Sequence, residues 1–391
     1  MKVDVLATEP HFVDHLAPVW HQLPPEARGE FYTGAIPMTG ATARARVHGI
    51  SGARGGTPVG RGVVMVAASG DLLRAGATAP QARFAFFEHG CGISYNVPQA
   101  SYVGSPHRPN VDLFLMPNEM AVAKQRHVHP DRRIEVIGSS PRLDRWVGTG
   151  SKTKPGEPPT VAVSFHWDCH VAPETRTALF YYRHHLPDLL GRGWKVIGHG
   201  HPRIMDQARI IYRQAGLEIV DEFEEVLERA DLYMVDNSST LYEFASTGRP
   251  VVALNCPRYR RAVHHGLRFW DWVPGLQCQQ AQDIAQVAAE ALNDPPEAVE
   301  LRRAAMEAVY PLNDGLSAVR AAGLVMELVE ATEASYPAVA ERFGRPRTAH
   351  VVRGPDGAEE GTFAVASEAR RFAQKRGPGF TVAEEVGSGP G

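Results

Sequence analysis

The sequence predicts an α/β protein of two domains, each built on a parallel sheet, with a helical segment and a small hairpin towards the C-terminal end. Three observations favour this fold class. Short apolar runs rich in β-branched residues alternate with amphipathic stretches along most of the chain. A stretch rich in Gly, Pro and Lys separates two such halves. The 391 residues also exceed what one ordinary core accommodates.

Short apolar runs mark the predicted strands. In the first half they are Val3–Leu6, Val63–Ala67, Phe84–Phe87, Leu113–Met116 and Ile134–Ile137. In the second half they are Val161–Phe165, Lys195–Gly198, Glu218–Val220, Leu232–Val235 and Val251–Leu254. The amphipathic stretches between the later runs predict covering helices, among them Pro173–Leu190, Ile204–Ala215 and Glu224–Arg229. Because ligands of such sheets bind beyond the carboxyl ends of the strands, we expect a site there.

The domain boundaries follow from composition. Residues 148–159 (GTGSKTKPGEPP) have the composition of a linker. We therefore assign residues 1–147 to an N-terminal Rossmann-like domain and residues 160–335 to a C-terminal one, facing each other across a cleft. Residues 336–391 form a C-terminal extension.

The C-terminal part has its own pattern. The chain reads as helical from Ala281 to about Ala334. Thr348–Ala366 predicts a hairpin that turns at Gly354–Gly357. The Gly-rich end, Gly377–Gly391, is expected to be frayed.

Composition excludes several classes of protein. With 43% apolar and 22% charged residues, the chain is typical of globular proteins and not of disordered ones. The net charge of −3 argues against sequence-independent binding to DNA or RNA. The stretch Thr39–Arg61 is nevertheless rich in Arg and Gly, and we interpret it as a mobile flap or a solvated surface loop. The cysteines lack zinc-like spacing, and neither a signal peptide nor a membrane-spanning run is visible. We expect a cytoplasmic protein with at most peripheral membrane contact.

The strongest motif begins where a buried strand ends at Asp236. Ser238, Ser239 and Thr240 follow and start a helix. Hydroxyl residues at a helix start cap its free N–H groups, and those groups together with the helix dipole form an anion site. Glu243, one turn into the helix, is placed to accept hydrogen bonds from ribose hydroxyls. The same residues also suit a capped helix without a ligand, with Glu243 as a first-turn acid.

This stretch resembles the nucleotide-binding signature of the GT-B transferases, and most of all that of the CDP-glycerol glycerophosphotransferase family of teichoic-acid polymerases. That family carries an Asp-Tyr-Ser-Ser step, a helix, and a Lys-Pro before the next strand. Asp236, Ser238, Ser239 and Pro250 match this order. The position of Glu243 is also similar to the ribose-holding acid of related enzymes, including UDP-N-acetylglucosamine 2-epimerases.

Further segments between Phe84 and Gly323 resemble motifs of the same family, in the same order. They are Phe87-Glu-His-Gly90, Gly138-Ser-Ser-Pro-Arg-Leu-Asp144, Ser164-Phe-His-Trp-Asp168, Gly200-His-Pro-Arg203 and Tyr310-Pro-Leu-Asn-Asp-Gly315. The chain departs from the family where Cys91-Gly92 follows Gly90, in place of Thr-Pro, and where no Arg follows Trp167.

The resemblance implies a transferase that uses a nucleotide-activated donor, CDP-glycerol-like or a UDP-sugar, and a hydroxyl-bearing acceptor such as a polymer or a glycolipid. The N-terminal domain would bind the acceptor. The predicted catalytic residues are His89, as base on the acceptor hydroxyl, and His201, at the donor phosphates. The predicted donor- and nucleotide-binding residues are Arg142, Arg203, Asp236, Ser238, Ser239, Thr240 and Glu243.

No cofactor and no metal ion are expected. GT-B enzymes generally use cations and helix dipoles in place of a metal, as the resemblance implies. Histidine pairs such as His199 and His201 occur, but their spacing alone is weak support for a metal site.

Three other interpretations stay open. A UDP-sugar 2-epimerase-like enzyme or a hydrolase would need acids in the cleft, for which Glu88, Glu119, Asp168 and Glu222 are the candidates. A non-catalytic nucleotide-sugar-binding GT-B scaffold is compatible with the changed surroundings of His89. A nucleic-acid-modifying glycosyltransferase is compatible with the Arg-rich stretch but not favoured by the net charge.

Overall fold

The computed structural model describes residues 1–34, 40–91, 108–153, 156–170, 176–259, 271–334, 348–363, 370, 373–374, 376 and 378–386. These residues form two compact units. Unit 1 comprises residues 1–89, 108–142 and 316–386, and unit 2 comprises residues 90–91 and 143–315. Each unit contains a six-stranded sheet with helices, which confirms the predicted α/β class.

The strands agree closely with the apolar runs of the sequence. In chain order they are β1 (Val3–Leu6), β2 (Arg28–Tyr32), β3 (Val63–Val66), β4 (Arg83–Phe87), β5 (Leu113–Met116), β6 (Arg133–Val136), β7 (Thr160–Phe165), β8 (Lys195–Gly200), β9 (Glu218–Ile219), β10 (Leu232–Val235), β11 (Val251–Leu254), β12 (Leu276–Cys278), β13 (Thr348–Arg353), β14 (Glu359–Phe363) and β15 (Thr381–Val386). Sequence reasoning missed β2 and β12, which lie at the edges of their sheets. The sequences of these two edge strands, RGEFY and LQC, lack the continuous apolar run that identifies a strand buried on both faces.

The helices fill the connections between strands. In chain order they are α1 (Pro10–Gln22), α2 (Ala41–Val47), α3 (Ser69–Thr78), α4 (Glu119–Val128), α5 (Leu179–Tyr182), α6 (Pro187–Leu190), α7 (Met205–Ala215), α8 (Phe223–Arg229), α9 (Thr240–Ala245), α10 (Ile284–Leu292), α11 (Pro296–Val309) and α12 (Ser317–Ala334). Within the described ranges, no helix has both the length and the apolar character needed to cross a membrane.

The sheet of unit 1 is parallel throughout, in the order β2-β1-β3-β4-β5-β6. One face is covered by α1 and α12, which pack Leu16 and Val325 into a core with Val5 and Met65. The other face carries a second core around Phe86. Both faces are therefore buried, as the apolar strands require.

The sheet of unit 2 is also parallel, in the order β12-β11-β10-β7-β8-β9. Val235 of β10 lies beside Ser164 of β7, and Phe165 of β7 lies beside Gly200 of β8. Because these neighbouring strands end in register, the residues that follow them meet at one edge of the sheet.

The helix α12 belongs to unit 1, whereas composition grouped it with the second half of the chain. Its buried residues Ala318, Ala321, Val325 and Leu328 recur at helical spacing and pack in the unit 1 core. The sequence shows this apolar face but does not show which sheet it covers.

Within the described residues, the chain passes between the units at residues 89–90, 142–143 and 315–316, and not within residues 148–159. The described part of that segment lies on unit 2 instead. The carboxylate of Asp231 accepts hydrogen bonds from Ser151 Oγ at 2.7 Å and from the N–H groups of Lys152 and Thr153, each at 2.9 Å. A buried carboxylate at the amino end of β10 thus orders a segment whose composition resembles a linker.

The stretch Thr39–Arg61 was interpreted as a flap or surface loop, and this is wrong for its first part. Ala41–Val47 forms α2, and Ala41 and Ala45 join the unit 1 core. The guanidinium of Arg44 is buried against the carboxylate of Asp14. An ion pair with α1 therefore orders a segment that reads as solvated.

The predicted helix over Pro173–Leu190 is broken in the structure. Its described part contains α5 and α6, separated by a turn, because Pro187 occupies the first position of α6 and has no N–H group to continue a helix from α5. Residues 173–175 lie outside the described residues.

The C-terminal hairpin prediction is confirmed, since β13 and β14 pair antiparallel. The expectation of a frayed end is wrong for Thr381–Val386, which forms β15 and pairs antiparallel with the other side of β13. The three strands lie in the order β14-β13-β15. Residues 387–391 lie outside the described residues.

Candidate functional site

The predicted donor residues of unit 2 follow the carboxyl ends of neighbouring strands. His201 follows β8, His166 follows β7, and Asp236 follows β10. The rings of His166 and His201 lie 5.5 Å apart between centroids in an edge-to-face arrangement. The strand order places β7 between β8 and β10, so the structure brings His201 and the Ser238–Thr240 segment to the same edge of one sheet.

Hydrogen bonds with the backbone define the tautomer of His201. The backbone N–H of His201 donates to the carbonyl oxygen of Phe165 at 3.0 Å, which fixes the backbone beyond β8. The N–H of Arg203 donates to Nδ1 of His201 at 3.2 Å. Because Nδ1 is the acceptor, the neutral ring carries its proton on Nε2, where it is a hydrogen-bond donor suited to a phosphate oxygen.

Trp167 adds an aromatic surface to this edge. Its ring lies 6.1 Å from that of His201, and the guanidinium of Arg203 lies 5.0 Å from the Trp167 ring centre in a cation–π contact. The structure therefore places the predicted cation Arg203 beside the predicted catalytic His201. The contribution of His166 and Trp167 was not predicted. Their position directly after an apolar run was the feature of the sequence that could have identified them as site residues.

The hydroxyl residues at the start of α9 bond to one another. Ser238 Oγ accepts from Thr240 N–H at 3.3 Å and from Thr240 Oγ1 at 2.9 Å. Thr240 Oγ1 lies 2.9 Å from the hydroxyl of Tyr233 on β10. Ser239 is the N-cap residue of α9, and its side chain makes no capping hydrogen bond. This network ties the first turn of α9 to its sheet and holds the turn's backbone in place.

Glu243 lies in the first turn of α9, as predicted, and is 1% exposed. Ribose binding by its carboxylate stays a prediction. A carboxylate inside a protein is stable only when polar partners surround it, so a change at Glu243 affects its neighbours in unit 2 as well as any ligand.

The carboxylate of Asp236 is fully buried and is directed at the backbone. Oδ1 accepts from the N–H of His166 at 2.8 Å, and Oδ2 accepts from the N–H of Ala178 at 2.9 Å. Burial raises the pKa of Asp236 to about 7, although both N–H donors and the charge of Arg258 oppose this rise. Asp236 was predicted as a donor-binding residue, and the structure shows it serving the backbone around the site.

His89, the predicted base, lies in unit 1 beyond β4. Its Nδ1 lies 2.6 Å from the carbonyl oxygen of Ala67, which follows β3. Since a carbonyl oxygen only accepts, Nδ1 is the protonated nitrogen and Nε2 carries the lone pair. This tautomer is the opposite of that of His201, and it is the one that a general base needs at Nε2.

Three aromatic rings from α1 surround His89. The rings of Phe12, His15 and His11 lie 5.1, 6.1 and 6.2 Å from it between centroids. His15 is buried, and its Nδ1 lies 2.5 Å from Ser140 Oγ. Burial, followed by the charges of Arg142, His89 and His11, holds the pKa of His15 well below its usual range.

His11 and His15 were not predicted as site residues. They are separated by one helical turn directly after the first strand, a spacing that puts both on one face of α1. That spacing was the signal in the sequence.

Arg142 also belongs to unit 1, where its charge acts on His15 and on Asp14. Asp14 Oδ1 accepts from Arg44 Nε at 2.5 Å and lies 2.8 Å from His48 Nε2. Although burial opposes it, the bond to His48 and the charges of Arg44 and Arg142 hold the pKa of Asp14 below its usual range. The other predicted donor-binding residues lie in unit 2, whereas Arg142 lies in unit 1 together with His89.

The ends of two motif segments, Asp144 and Gly315, meet in unit 2. A Cβ atom at Gly315 would lie 2.8 Å from the carbonyl oxygen of Asp144, and φ is +75°. Only glycine combines this backbone with so close an approach. Among the described residues, no group of three or more His, Cys, Asp or Glu is arranged to hold a metal ion.

A family model matches a part of the chain that lies mostly in unit 2. Residues 175–327 match the family model described as CDP-Glycerol:Poly(glycerophosphate) glycerophosphotransferase. This range contains His201, Arg203 and the segment from Asp236 to Glu243. No curated protein matches the chain.

Several solved structures share the fold. The wall teichoic acid polymerase TagF is similar over 85% of this chain and 90% of its own, with 11% identity and a TM-score of 0.60. A putative UDP-N-acetylglucosamine 2-epimerase from Listeria monocytogenes is similar over 88% of this chain and 98% of its own, with 14% identity and a TM-score of 0.55. The S. aureus MnaA–UDP structure covers 86% and 96%, with 13% identity and a TM-score of 0.54. The chain thus shares the GT-B fold of these structures, and its residues 175–327 are similar to the CDP-glycerol glycerophosphotransferase family.

Proposed function

We propose that this enzyme transfers a glycerophosphoryl group from CDP-glycerol to a hydroxyl group of an acceptor. Unit 2 would bind the donor, and His89 of unit 1 would act on the acceptor. The observation that carries the proposal is that the family match, residues 175–327, contains His201, Arg203 and the start of α9, which follow strands of one sheet at the same edge. One of the similar TagF structures is that of a histidine-to-asparagine variant soaked with CDPG, which supports this choice of donor.

The reaction assigns opposite tasks to the two histidines. The acceptor oxygen forms a bond to the phosphorus that carries glycerol, while the bond from that phosphorus to the CMP oxygen breaks. The acceptor proton moves to Nε2 of His89, whose lone pair is set by the bond of Nδ1 to Ala67. The electron pair leaves with CMP.

The negative charge that develops on the CMP leaving group has to be stabilised by groups of unit 2. The Nε2–H of His201 would donate to a phosphate oxygen, and the guanidinium of Arg203, held against Trp167, would add a positive charge. The first N–H groups of α9, at Ser238–Thr240, would bind further phosphate oxygens, and Glu243 would accept from the ribose hydroxyls. No cofactor is part of this proposal.

The acceptor side has its own proposed residues. The ring of His89 is held between Ala67 and the aromatic side chains of α1, which restrict its orientation. Arg142 would add positive charge on this side, where an acceptor ending in glycerol phosphate carries negative charge. A polymer that ends in glycerol phosphate would offer a hydroxyl group to His89 and a negative charge to Arg142. We therefore propose such a polymer as the acceptor, in preference to a glycolipid.

A thermal-shift panel tests the donor assignment. The ligands are CDP, UDP, GDP, ADP, CDP-glycerol, UDP-glucose and UDP-N-acetylglucosamine. A ligand present at 100 times its Kd stabilises the protein by about 2.7 kcal/mol, which raises the Tm of a unit of this size by about 5–10 °C. We expect CDP-glycerol to give the largest shift. Glu243→Ala should lose that shift, whereas Glu297→Ala, an exposed first-turn acid of α11, should keep it.

Release of CMP tests the reaction itself. With CDP-glycerol and a glycerol phosphate oligomer, we expect CMP and a lengthened oligomer in equal amounts. Modification of a UDP-sugar without any acceptor would instead support the epimerase alternative, whose fold the chain shares. Absence of a thermal shift with every ligand would contradict donor binding and favour a scaffold without catalysis.

A further inference from the structure

Asp236 connects two parts of unit 2 that are far apart in sequence. It follows β10, whose neighbour β7 ends at Phe165, so its carboxylate reaches the N–H of His166 at 2.8 Å. Its second oxygen reaches the N–H of Ala178, the residue before α5, at 2.9 Å. One buried carboxylate therefore holds both ends of the segment 166–178, of which residues 166–170 and 176–178 are described.

The first end of this segment contributes to the proposed phosphate site. The His166 ring lies 5.5 Å from that of His201, and the Trp167 ring lies 6.1 Å from it. Trp167 also supports the guanidinium of Arg203. A displacement of the backbone at His166 would therefore move the aromatic surface against which His201 and Arg203 lie.

The second end is held by further contacts. Arg176 forms a two-bond ion pair with Asp168, at 2.6 and 2.8 Å, which joins the two described parts of the segment. Arg258 donates to the carbonyl oxygen of Thr177 at 2.6 Å, and Tyr259 donates to that of Arg176 at 2.9 Å. These bonds use carbonyl oxygens as acceptors, whereas the N–H of Ala178 depends on Asp236.

We infer that Asp236 is a positioning residue of the donor site, which uses both carboxylate oxygens to fix the backbone at His166 and Ala178 and to hold His166 and Trp167 against His201 and Arg203. The role of the segment in donor binding rests on the proposed function, whereas the anchoring itself does not. The ionised carboxylate accepts from the two N–H groups with the strength of a charged acceptor on both oxygens. A proton on one oxygen leaves that oxygen a weak neutral acceptor, and the amide nitrogen of an asparagine in its place cannot accept at all, so one of the two bonds is weakened or lost.

The surroundings of Asp236 make its two hydrogen bonds to the backbone sensitive to pH near neutrality. Its pKa is raised to about 7 by burial. Below that pH the group is protonated and one anchor bond is weakened or lost, and above it both bonds are present. The ionisable groups that interact with the carboxylate or lie on the anchored segment are Arg258, Tyr212, Tyr233, His166, Asp168 and Arg176.

Asp71 in unit 1 supplies a matched control. It is also a buried aspartate with a raised pKa, but it accepts from the N–H of Thr8 at 3.1 Å, the hydroxyl of Thr8 at 2.6 Å and Nη1 of Arg74 at 3.3 Å. An asparagine can accept from that N–H and donate to that hydroxyl, so Asp71→Asn keeps both bonds to Thr8 and loses only the longer contact with Arg74. Asp236→Asn cannot keep both, because both of its partners are N–H groups.

The first measurement is the affinity for CDP-glycerol at pH 6 and pH 8 by calorimetry. We expect the wild type and Asp71→Asn to bind about tenfold more weakly at pH 6, the effect of one lost hydrogen bond to a charged group. Asp236→Asn should be about tenfold weaker at pH 8 and show little further change at pH 6. Protonation of His201 would act in the opposite direction, since an added positive charge strengthens phosphate binding.

The second measurement is amide hydrogen exchange without any donor, corrected for the intrinsic pH dependence of exchange. In the wild type, peptides covering residues 166–170 and 176–182 should lose protection between pH 8 and pH 6, while peptides from β10 do not. In Asp236→Asn the same peptides should be unprotected at pH 8. If the variant does not fold, the wild-type pH series alone decides.

Two results would overturn the inference: wild-type affinity of Asp236→Asn at pH 8, or protection of the 166–178 peptides that is independent of pH in the wild type. If CDP-glycerol does not bind at all, the proposed function fails, and the exchange measurement still decides whether Asp236 anchors the segment.

Discussion

The imidazole of His89 donates from Nδ1 to the carbonyl oxygen of Ala67 over 2.6 Å. This one contact joins the ends of β3 and β4 and leaves the lone pair on Nε2. The hydrogen bond thereby defines the tautomer of a residue that the sequence identified only by its position.

His89→Asn should lower kcat by about 100- to 10,000-fold, the usual contribution of a general base. The Kd for the donor should stay unchanged, because His89 belongs to unit 1 and the donor residues belong to unit 2. CMP release and calorimetry measure the two quantities. His127→Asn, an exposed change in the same unit, should alter neither, and equal losses of donor binding and turnover in His89→Asn would contradict its role as base.

His201→Phe should weaken CDP-glycerol binding and lower kcat together. The variant keeps a ring beside His166 but loses the donor at Nε2, and a hydrogen bond to a charged group contributes about 1.5–3 kcal/mol, or about 10- to 150-fold. His184→Phe, at an exposed position of unit 2, is the matched control. Unchanged kcat and Kd in His201→Phe would exclude a contact with the donor phosphates.

Asp71→Asn should stabilise the protein at pH 8 and leave it unchanged at pH 4. Burial raises the pKa of Asp71 from 3.8 to about 6, so the folded state binds this proton more tightly than the unfolded state. The wild type therefore loses stability as pH rises from about 4 to about 6, by on the order of 2–3 kcal/mol. The free energy of unfolding, measured by denaturation at several pH values between 4 and 8, should therefore depend less on pH in the variant than in the wild type. Asp131→Asn, an exposed change, should retain the wild-type profile, and a loss of stability in Asp71→Asn at pH 8 would contradict the prediction.

Arg249→Met should destabilise unit 2 by about 3 kcal/mol or more, since it leaves buried acceptors without a donor. The guanidinium of Arg249 is almost fully buried and donates to the carbonyl oxygens of Ala230 and Leu227, the latter at 2.7 Å, and to Thr247 Oγ1 at 2.9 Å. A fall in Tm of about 6–12 °C is expected. Arg303→Met, which removes exposed ion pairs on α11, should change the Tm little; similar effects of the two changes would contradict the argument.

Much of the fold was predictable because buried strands of parallel sheets are apolar on both faces. The boundaries of β1, β5, β10 and β11 agree with the runs in the sequence. The edge strands β2 and β12 were missed, since one side of each lacks a neighbouring strand and their sequences, RGEFY and LQC, are not continuously apolar.

The site was predictable in part, for a related reason. His201, Arg203 and Ser238–Thr240 follow strand ends, and parallel strands bring their carboxyl ends to one edge. The surroundings of His89 were not predictable, because His11 and His15 reach it from α1 through packing. The grouping of Arg142 with Asp14 and His15 likewise depends on where the chain leaves unit 1.

The sequence by itself determined the α/β class, most strands, and the identity of the residues that follow them, since local periodicity and the order of motifs carry that information. Tertiary structure alone decided that α12 returns to unit 1, that residues 148–153 are bound by Asp231, and that Asp236 serves the backbone. Each of these depends on which distant groups come within hydrogen-bonding or packing distance. In particular, a buried carboxylate takes whichever N–H groups the fold brings to it, and no local pattern of residues specifies those partners.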